Sequence, residues 1–437
     1  MLFRSHDNFP MDVMGTHENV SLRSSSISPS LVPDNLPLRV DWGAQEQSSD
    51  DLFMVDYTSY CLNLHECVRA SGLPNFRSTR RAVVSRLHIT KWREYLQHYF
   101  DNIVCDFLEF GWPIDYQNST FPVTDSRTHL RALQYPTAVD AYLSTEILRG
   151  AVIGPFASNA FSSDIATSPL NSVPKADSSE RRIILDLSWP PGTSVNDGIS
   201  SHSYLGQDFD LYYPTVDLIA SKVNTYRRGC LLFKRDLKRA YRQFPVDPGD
   251  YNLLGYCWHG NFYFDTVLPM GLRMAAMACQ RITRSVCFIC EQSGYDVVSY
   301  LDDFIGVSLP SEAPAAYQFS GFLLSELGLE ESCSKAVPPS TRVTCLGVLF
   351  DTELMTMSVT PDRLLELETL LHSWSVKKSA SKKQLQSLIG KLAFVCKCVR
   401  QSRLFLSRML VLLRTVRQNH HHVKLSAEFR KDVLWWL

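Results

Sequence analysis

Residues 297–305 read VVSYLDDFI, and this short stretch decides the predicted fold. Apolar residues flank two adjacent carboxylates, Asp302 and Asp303, in the pattern of a β-hairpin whose turn carries both acids. Neighbouring like charges raise each other's pKa, and a divalent cation beside them reverses that effect. Because Asp is also common in ordinary turns, the pair alone is equally consistent with a structural turn.

A second stretch, residues 230–241, reads CLLFKRDLKRAY. It predicts a buried strand that ends at Asp236, followed by a helical turn that carries Tyr241. A third carboxylate on a neighbouring strand is what a two-metal phosphoryl-transfer site needs, because hard oxygen ligands hold two Mg²⁺ ions about 3.5–4 Å apart. The alternative is a strand-end Asp that caps the next helix.

A third stretch, residues 268–276, reads LPMGLRMAA and predicts a turn that opens a helix. Gly271 allows a ligand to approach the backbone closely, and a helix N-terminus with Arg273 favours an anionic phosphate. Taken alone, this pattern is also that of an ordinary helix start.

In this order the three stretches resemble the palm motifs of reverse transcriptases. Asp236 matches the first-motif aspartate, residues 268–271 match the second-motif entry, and residues 300–303 match the Tyr-x-Asp-Asp signature. The resemblance implies an α+β right-hand polymerase with fingers, a palm built on a ferredoxin-like antiparallel sheet, a helical thumb and a helical N-terminal extension. It also implies two Mg²⁺ ions, with Mn²⁺ as a possible substitute.

The resemblance assigns roles to individual residues. The metal ligands would be Asp236, Leu237 through its backbone, Asp302 and Asp303. The residues expected to contact the incoming dNTP are Lys175, Arg182, Asp186, Tyr241, Met270, Gly271 and Arg273. Those expected to contact primer and template are Tyr300, Leu346, Gly347, Lys382, Lys383, Lys391 and Lys397.

For three residues the resemblance implies a more specific role. Lys335, in a stretch that resembles the fourth motif, would protonate the leaving pyrophosphate. Tyr241 would lie under the sugar and exclude a 2′-hydroxyl, thereby selecting dNTPs. The backbone N–H of Leu237 and nearby groups would cradle the β- and γ-phosphates.

Residues 150–156, 185–198 and 388–392 resemble the reverse transcriptases of DIRS-like retrotransposons, which carry a tyrosine recombinase. In those elements an RNase H domain follows the polymerase. Residues 425–436 resemble the lead-in to that domain, so we expect a chain truncated before RNase H. The predicted domains are a disordered lead (1–45), the helical extension (46–150), fingers and palm (151–357), a helical thumb (358–418) and a truncated RNase H-like start (419–437).

The composition excludes several classes of protein. The 437 residues are 45% hydrophobic, 11% aromatic and 20% charged, which excludes a disordered chain. Neither a membrane helix nor a signal peptide is apparent, so we expect an intracellular protein of the cytoplasm or nucleus, with twelve reduced cysteines. Cys287 and Cys290 predict a buried structural pair, and residues 420–422, all His, predict a solvated linker.

The formal net charge of −1 conceals a basic C-terminal region. Residues 371–437 contain fourteen Lys and Arg but only two acidic residues, Glu428 and Asp432. This surplus indicates a polyanionic partner such as a primed RNA or DNA template, or else a solvated helix face.

Two functions of different classes follow. The first is an RNA-directed DNA polymerase, and the second is a catalytically inactive, element-derived scaffold that binds nucleic acid or protein. A viral RNA polymerase is a third, more distant reading, because Tyr241 is bulky where such an enzyme must admit a 2′-hydroxyl. The sequence leaves the oligomeric state open.

Overall fold

The computed structural model describes residues 50–71, 80–124, 127–175, 180–209, 211–416, 418 and 421–437, with backbone only for 50–56. The predicted disordered lead, residues 1–45, lies outside the described residues. Within them the chain mixes helices and antiparallel sheets, as predicted.

The α-helices are α1 Asp50–Ser71, α2 Ile89–Tyr95, α3 Ile103–Phe110, α4 Leu130–Leu133, α5 Pro136–Leu148, α6 Val216–Tyr226, α7 Ala275–Gln292, α8 Ala313–Glu326, α9 Pro361–Ser375, α10 Lys382–Val395, α11 Ser407–Thr415 and α12 Ala427–Trp436. The strands are β1 Val152–Phe156, β2 Leu170–Pro174, β3 Arg181–Leu185, β4 Ser203–Tyr204, β5 Gln207–Asp208, β6 Leu231–Asp236, β7 Gly255–Trp258, β8 Asn261–Asp265, β9 Val297–Tyr300, β10 Asp303–Ser308, β11 Val337–Ser340, β12 Arg342–Cys345, β13 Val348–Asp351, β14 Thr356–Val359, β15 Ser379–Ser381 and β16 His422–Lys424. Short 3₁₀ turns occupy Asn196–Gly198, Ala240–Gln243, Pro248–Leu253, Cys333–Lys335 and Arg400–Leu406.

The central sheet has four antiparallel strands in the order β11-β6-β10-β9. Along the chain these strands and their two helices run β6-α7-β9-β10-α8-β11, which is the βαββαβ order of the predicted ferredoxin-like sheet. Helix α7 packs against β9, and α8 packs against β6, β10 and β11. Met277, Ile282 and Ile289 of α7 are buried in this layer.

The N-terminal helices are part of the same hydrophobic core as the strands that follow. Trp92 and Phe107 from the predicted extension are fully buried in one cluster with Phe233 of β6 and Phe264 of β8. Helix α5 packs against β1, and α1 packs against the 3₁₀ turn Pro248–Leu253. The helices of the predicted extension therefore pack against the sheets and share their hydrophobic core.

A second hydrophobic core joins helices α9 to α12, with Leu371, Leu388, Met409 and Phe429 buried in it. The predicted division between 358–418 and 419–437 falls inside this core, and the assignment of 419–437 to the start of a following domain stays a prediction. Strand β16 pairs with β15, and α12 packs against α9. The packing follows from the apolar residues in the C-terminal stretch, among them Leu425, which is 2% exposed.

The C-terminal region and helix α7 also bear on two smaller predictions, the histidine linker at residues 420–422 and the pair of Cys287 and Cys290. His422 begins β16, so the linker prediction is wrong at that residue, whereas His420 lies outside the described residues. All twelve cysteines are free thiols, as expected. Cys290 is buried, and burial raises the pKa of its thiol to about 12, whereas Cys287 is half-buried, so the predicted buried pair holds only for Cys290. Among the described residues, no helix is both long and apolar enough to cross a membrane.

Candidate active site

Three predicted acidic residues meet at one end of the central sheet. Asp236 is the last residue of β6 and Asp303 the first of β10, and the antiparallel register pairs them directly. Asp302 lies in the turn between β9 and β10, where its carbonyl oxygen accepts a hydrogen bond of 2.9 Å from the N–H of Leu237. The strand ladder therefore brings together the carboxylates that lie 66 and 67 positions apart in sequence.

The turn that carries Asp302 is supported by a glutamine that the sequence analysis missed. Leu301 has a φ of 53°, a left-handed conformation that is unfavourable for a branched side chain. The side-chain oxygen of Gln280 accepts a hydrogen bond of 2.7 Å from the N–H of Leu301, and its amide donates to the carbonyl of Ser299 at 2.8 Å. Gln280 is 1% exposed. A polar residue among the apolar positions of the predicted helix was the one sequence feature that could have indicated its role.

Burial raises the pKa of both Asp302 and Asp303, and repulsion by the carboxylate of Asp236 raises both further. Two lysines oppose this accumulation of negative charge. The Lys335 ammonium lies 2.9 Å and 3.1 Å from the two carboxylate oxygens of Asp236, and the Lys234 ammonium lies 3.5 Å from Asp303. Lys234 was not predicted, although its place two residues before Asp236 on a strand puts both side chains on one face.

The donor set fits a hard divalent cation, because three carboxylates converge where two of them are destabilised by burial and by like charge. In the part of the chain that the structure describes, no three His, Cys, Asp or Glu side chains form a ready-made metal cluster. Two of the acids are paired with lysines instead, Asp236 with Lys335 and Asp303 with Lys234. These ion pairs give a physical reason why the three carboxylates are not gathered into such a cluster.

The predicted triphosphate contacts lie on a separate hairpin, β2–β3. Lys175 pairs with Glu180 at 2.8 Å, and Arg182 is exposed on β3. Asp186, just after β3, lies 2.9 Å from the imidazole Nε2 of His129. The structure thus gathers this part of the predicted dNTP site on one hairpin, while the three acids belong to the central sheet.

The loop before α7 is fixed against β3. Gly271 has a φ of 108°, and a Cβ at this position would lie 2.4 Å from the carbonyl oxygen of Leu185, so only glycine fits. The Asn196 side chain donates to the carbonyl of Gly271 and accepts from the N–H of Arg273, both at 2.8 Å. Met270 is half-buried beside this contact.

Arg273 is hydrogen-bonded to the backbone near the start of α7. Its guanidinium donates from one nitrogen to the carbonyl oxygen of Ile199 at 2.7 Å, and α7 begins at Ala275. A guanidinium has five N–H donors, so the predicted contact of Arg273 with a phosphate stays a prediction.

Tyr241 lies near the acids, on the 3₁₀ turn Ala240–Gln243 that follows Asp236. Burial raises the pKa of its hydroxyl, and the negative charge of Asp302 contributes to the increase. Tyr300 is 37% exposed, with its ring centre 5.3 Å from that of Tyr213. The N–H of Leu237 donates to the carbonyl oxygen of Asp302, so this amide already has an acceptor, and its part in a phosphate cradle stays a prediction.

Helix α5 supports the loop that carries Tyr241. Glu146, which is 3% exposed, accepts hydrogen bonds from Arg239 at 2.6 Å and from Arg242 at 2.8 Å. Arg242 also lies 2.9 Å from Asp265. This network was not predicted from the sequence, because a single Glu on a helix normally lies in solvent.

The predicted primer–template residues occupy two places. Leu346 and Gly347, with φ of 50° and 78°, form the two-residue turn between β12 and β13. Lys382 and Lys383 begin α10, Lys391 pairs with Glu366, and the Lys397 ammonium lies 5.2 Å from the ring centre of Phe394. Lys391 is therefore shared with Glu366, although its ammonium has three N–H donors and can also contact a phosphate.

Neither a protein-family model nor a curated protein matches this chain. Among solved structures it is similar to a foamy viral protease–reverse transcriptase, dRH, in complex with double-stranded DNA. The TM-score is 0.59 at 15% identity, over 94% of this chain and 63% of that one, so the chain spans less than two thirds of its neighbour.

Two further foamy viral protease–reverse transcriptase structures are similar. The complex with double-stranded DNA gives a TM-score of 0.54 at 15% identity, over 87% of this chain and 70% of that one. The complex with an RNA/DNA hybrid gives 0.55 at 14% identity, over 92% and 47%. These likenesses establish a reverse transcriptase-like fold.

Proposed function

We propose that this chain is the RNA-directed DNA polymerase of a DIRS-like retrotransposon, which adds dNTPs to a primer 3′ end by two-metal phosphoryl transfer. One observation carries the proposal: Asp236, Asp302 and Asp303 meet at the end of an antiparallel sheet within a reverse transcriptase-like fold. On this proposal residues 151–357 are fingers and palm, and the helices from residue 358 onward are the thumb.

The three carboxylates and the backbone carbonyl of Leu237 would bind two Mg²⁺ or Mn²⁺ ions. Such ions, when bound, supply Lewis-acid stabilisation to the primer oxygen and to the triphosphate. The Lys335 side chain lies 2.9 Å from Asp236 and would donate a proton to the leaving pyrophosphate. Gln280 fixes the turn, so the carboxylate of Asp302 is oriented before substrate binds.

Lys175 and Arg182 would bind the triphosphate, one as a point charge and the other as a planar fork. This contact requires Lys175 to exchange Glu180 for phosphate, an exchange that an exposed ion pair allows at little cost. Tyr241, with its ring partly buried beside Asp302, would exclude a 2′-hydroxyl. Asp186, Met270 and Gly271 would border the nascent base pair.

The partner would be a primed RNA or DNA template. The foamy viral neighbours are bound to double-stranded DNA and to an RNA/DNA hybrid, which supports a duplex as ligand. Lys382, Lys383 and Lys397 would contact its phosphates. We further propose that the protein acts inside the cell, in the cytoplasm or nucleus.

Primer extension on an RNA template with dNTPs and Mg²⁺ tests this function. The polymerase extends the primer, whereas an inactive scaffold binds the same duplex without extending it. Duplex binding is therefore measured on the same preparation by fluorescence anisotropy. A folded chain that binds duplex but adds no nucleotide, with either Mg²⁺ or Mn²⁺, contradicts the proposal.

A further inference from the structure

One strand of the central sheet has an unpaired outer edge. Among the described residues, β9 pairs with β10 on one side and with no strand on the other. A groove of about 520 Å³ runs along this edge, and residues 297–299 form its floor. Helices α7 and α6, which pack on opposite faces of the sheet, line its two sides. The groove therefore exposes a strand edge between two helices, and the proposed function gives it no role.

The backbone of Val297 is available for pairing at this edge. In an antiparallel pair, the N–H and C=O groups of successive residues point alternately toward and away from the neighbouring strand. The carbonyl of Asp296 accepts from the N–H of Val307 at 3.1 Å, so it points toward β10. The carbonyl of Ser299 accepts from Gln280, so it points away from β10. Both observations place the N–H and C=O of Val297, and the N–H of Ser299, on the outer edge, where a further strand can pair with them.

The walls of the groove carry aromatic rings that the core leaves partly uncovered. Phe100 is 78% exposed and Tyr212 is 55% exposed. Phe288 of α7 and Tyr226 of α6 are half-buried on the two sides. Exposed apolar side chains gathered around a groove mark a binding site. An added strand would pack its own aromatic and β-branched side chains against these rings.

The charges along the groove favour a peptide over a nucleic acid. Lys222 and Arg284 are the lining cations, and Glu291 and Asp296 are the lining acids, so the groove carries no net charge. A strand of nucleic acid needs a surplus of positive charge. Lys222 and Asp296 bond to each other at 2.5 Å. Arg284 and Glu291 are exposed, and neither has an ion-pair partner within the described chain.

Arg284 and Glu291 indicate the direction of the bound strand. Helix α7 runs antiparallel to β9, because Gln280, near the helix start, bonds to Ser299, near the strand end. Seven helical residues separate Arg284 from Glu291, a distance of about 10 Å along the axis. That distance is about three to four residues of a strand. A strand antiparallel to β9 therefore meets Arg284 with its N-terminal half and Glu291 with its C-terminal half.

We propose that this groove binds an extended peptide of a partner protein as a fifth strand, antiparallel to β9, with an acidic side chain toward Arg284 and a basic side chain toward Glu291. Its backbone would bond to Val297 and Ser299, and its alternate side chains would contact the aromatic walls. This binding is independent of polymerase activity and requires neither metal nor nucleic acid.

Fluorescence anisotropy on the full chain tests the proposal with the labelled peptide Thr-Glu-Val-Tyr-Val-Lys-Thr. In a strand, its Glu, Tyr and Lys share one face, opposite Arg284, Phe288 and Glu291 of α7. The comparison peptide, Thr-Lys-Val-Tyr-Val-Glu-Thr, has the two charges exchanged. We expect the first peptide to bind about fivefold more tightly than the second, the upper range for exposed ion pairs.

Charge-exchanged variants of the protein locate the peptide. The double variant Arg284→Glu, Glu291→Arg is expected to reverse the preference between the two peptides. Lys431→Glu, at an exposed position on α12, is the matched control and should leave the preference unchanged. Thermal unfolding confirms that each variant is folded. Equal binding of both peptides by the natural chain, or a preference that the double variant leaves unchanged, overturns the proposal.

N-methylation separates strand pairing from binding through side chains alone. One version of the first peptide is methylated at the amides of Glu, Tyr and Lys, and another at those of the two Val. The set of amides that faces β9 donates to the strand edge, so its methylation should weaken binding at least about tenfold, whereas methylation of the other set should change it little. Equal binding of the two methylated peptides contradicts a fifth strand.

Two other occupants give different results. A labelled single-stranded oligonucleotide that binds the natural chain but not Arg284→Glu, when neither peptide binds, assigns the groove to nucleic acid and overturns the proposal. A dimer in sedimentation velocity that Arg284→Glu dissociates, again without peptide binding, assigns the groove to a second copy and overturns it as well. Failure of the folded natural chain to bind either peptide also overturns it.

Discussion

Gln280 shows how one buried side chain can fix the geometry of a turn at which charge accumulates. Gln280→Leu keeps the size of the side chain but leaves the N–H of Leu301 and the carbonyl of Ser299 without their partner. We expect the free energy of unfolding to fall by about 1–3 kcal/mol, the usual cost of buried polar groups that lose a hydrogen bond. Guanidinium denaturation measures the change.

The matched control is Gln292→Leu, at the exposed end of the same helix. We expect it to change the free energy of unfolding by less than about 0.5 kcal/mol. Equal stability of Gln280→Leu and the natural chain would show that the two hydrogen bonds contribute nothing to the turn.

Asp302 and Asp303 make the stability of the metal-free protein depend on pH. Their pKa values are raised in the folded state, mainly by burial. The stability that their protonated forms contribute is fully present below about pH 4, the unfolded-state pKa, and is lost as pH rises through the folded-state pKa. At pH 7 both carboxylates are therefore destabilising unless a cation compensates them.

The double substitution Asp302→Asn, Asp303→Asn is accordingly expected to raise the Tm at pH 7 by about 2 °C, with a smaller gain near pH 4. Added Mg²⁺ should stabilise the natural chain and leave the double variant unchanged. Asp208→Asn, at an exposed position on β5, serves as the control. A lower Tm for the double variant at pH 7, in calorimetry without metal, would contradict this account.

At the scale of elements, helix α5 links the N-terminal helices to the loop after Asp236. Glu146→Gln removes the charge that two largely buried guanidinium groups share. Loss of one partner from a buried ion pair costs about 3–5 kcal/mol, so we expect a destabilisation of that order. Urea denaturation provides the measurement.

Glu291→Gln, at an exposed position on α7, is the control and should be nearly neutral. If Glu146→Gln were as stable as this control, α5 would not support the loop as described.

The elements that could be predicted from the sequence are those marked by a local pattern of apolar and turn-forming residues. The hairpin around Asp302 and the strand that ends at Asp236 follow from local periodicity, and they are confirmed. The contacts of Glu146, and the pairing of Lys335 with Asp236, join residues about 100 positions apart. No local pattern encodes such pairs, so they became visible only in the folded chain.

Two predicted phosphate donors are already hydrogen-bonded in the folded chain. The Arg273 guanidinium and the N–H of Leu237 each donate to a backbone carbonyl that the fold brings near. Residues 419–437 are predicted by resemblance to begin a following domain, and apolar side chains of their described part, residues 421–437, pack in the same core as α9 to α11. Composition identifies an apolar segment without identifying the partner against which it packs.

At the scale of the whole molecule, the basic C-terminal region, residues 371–437, gives the proposed nucleic-acid binding a defined dependence on salt. Each phosphate contact adds about 0.9 to the negative slope of log K against log salt concentration. The double variant Lys382→Gln, Lys383→Gln should therefore lower that slope by up to about 1.8 on a double-stranded primer–template. Fluorescence anisotropy at several salt concentrations measures it.

Lys91→Gln is the control, since Lys91 lies on α2 and pairs with Glu326. An unchanged slope for the α10 variant, or an equal change for the control, would show that α10 does not contact the duplex backbone.

The central claim, that Asp236, Asp302 and Asp303 form a polymerase site, is tested most directly by primer extension on an RNA template with dNTPs and Mg²⁺ or Mn²⁺. The natural chain is compared with the Asp302→Asn, Asp303→Asn variant at matched duplex binding. The account predicts extension by the natural chain and a loss of at least about 10³-fold in the variant, as expected when charge stabilisation at the reacting phosphate is removed. Equal extension by both chains, or none by a folded natural chain that binds the duplex, would contradict it.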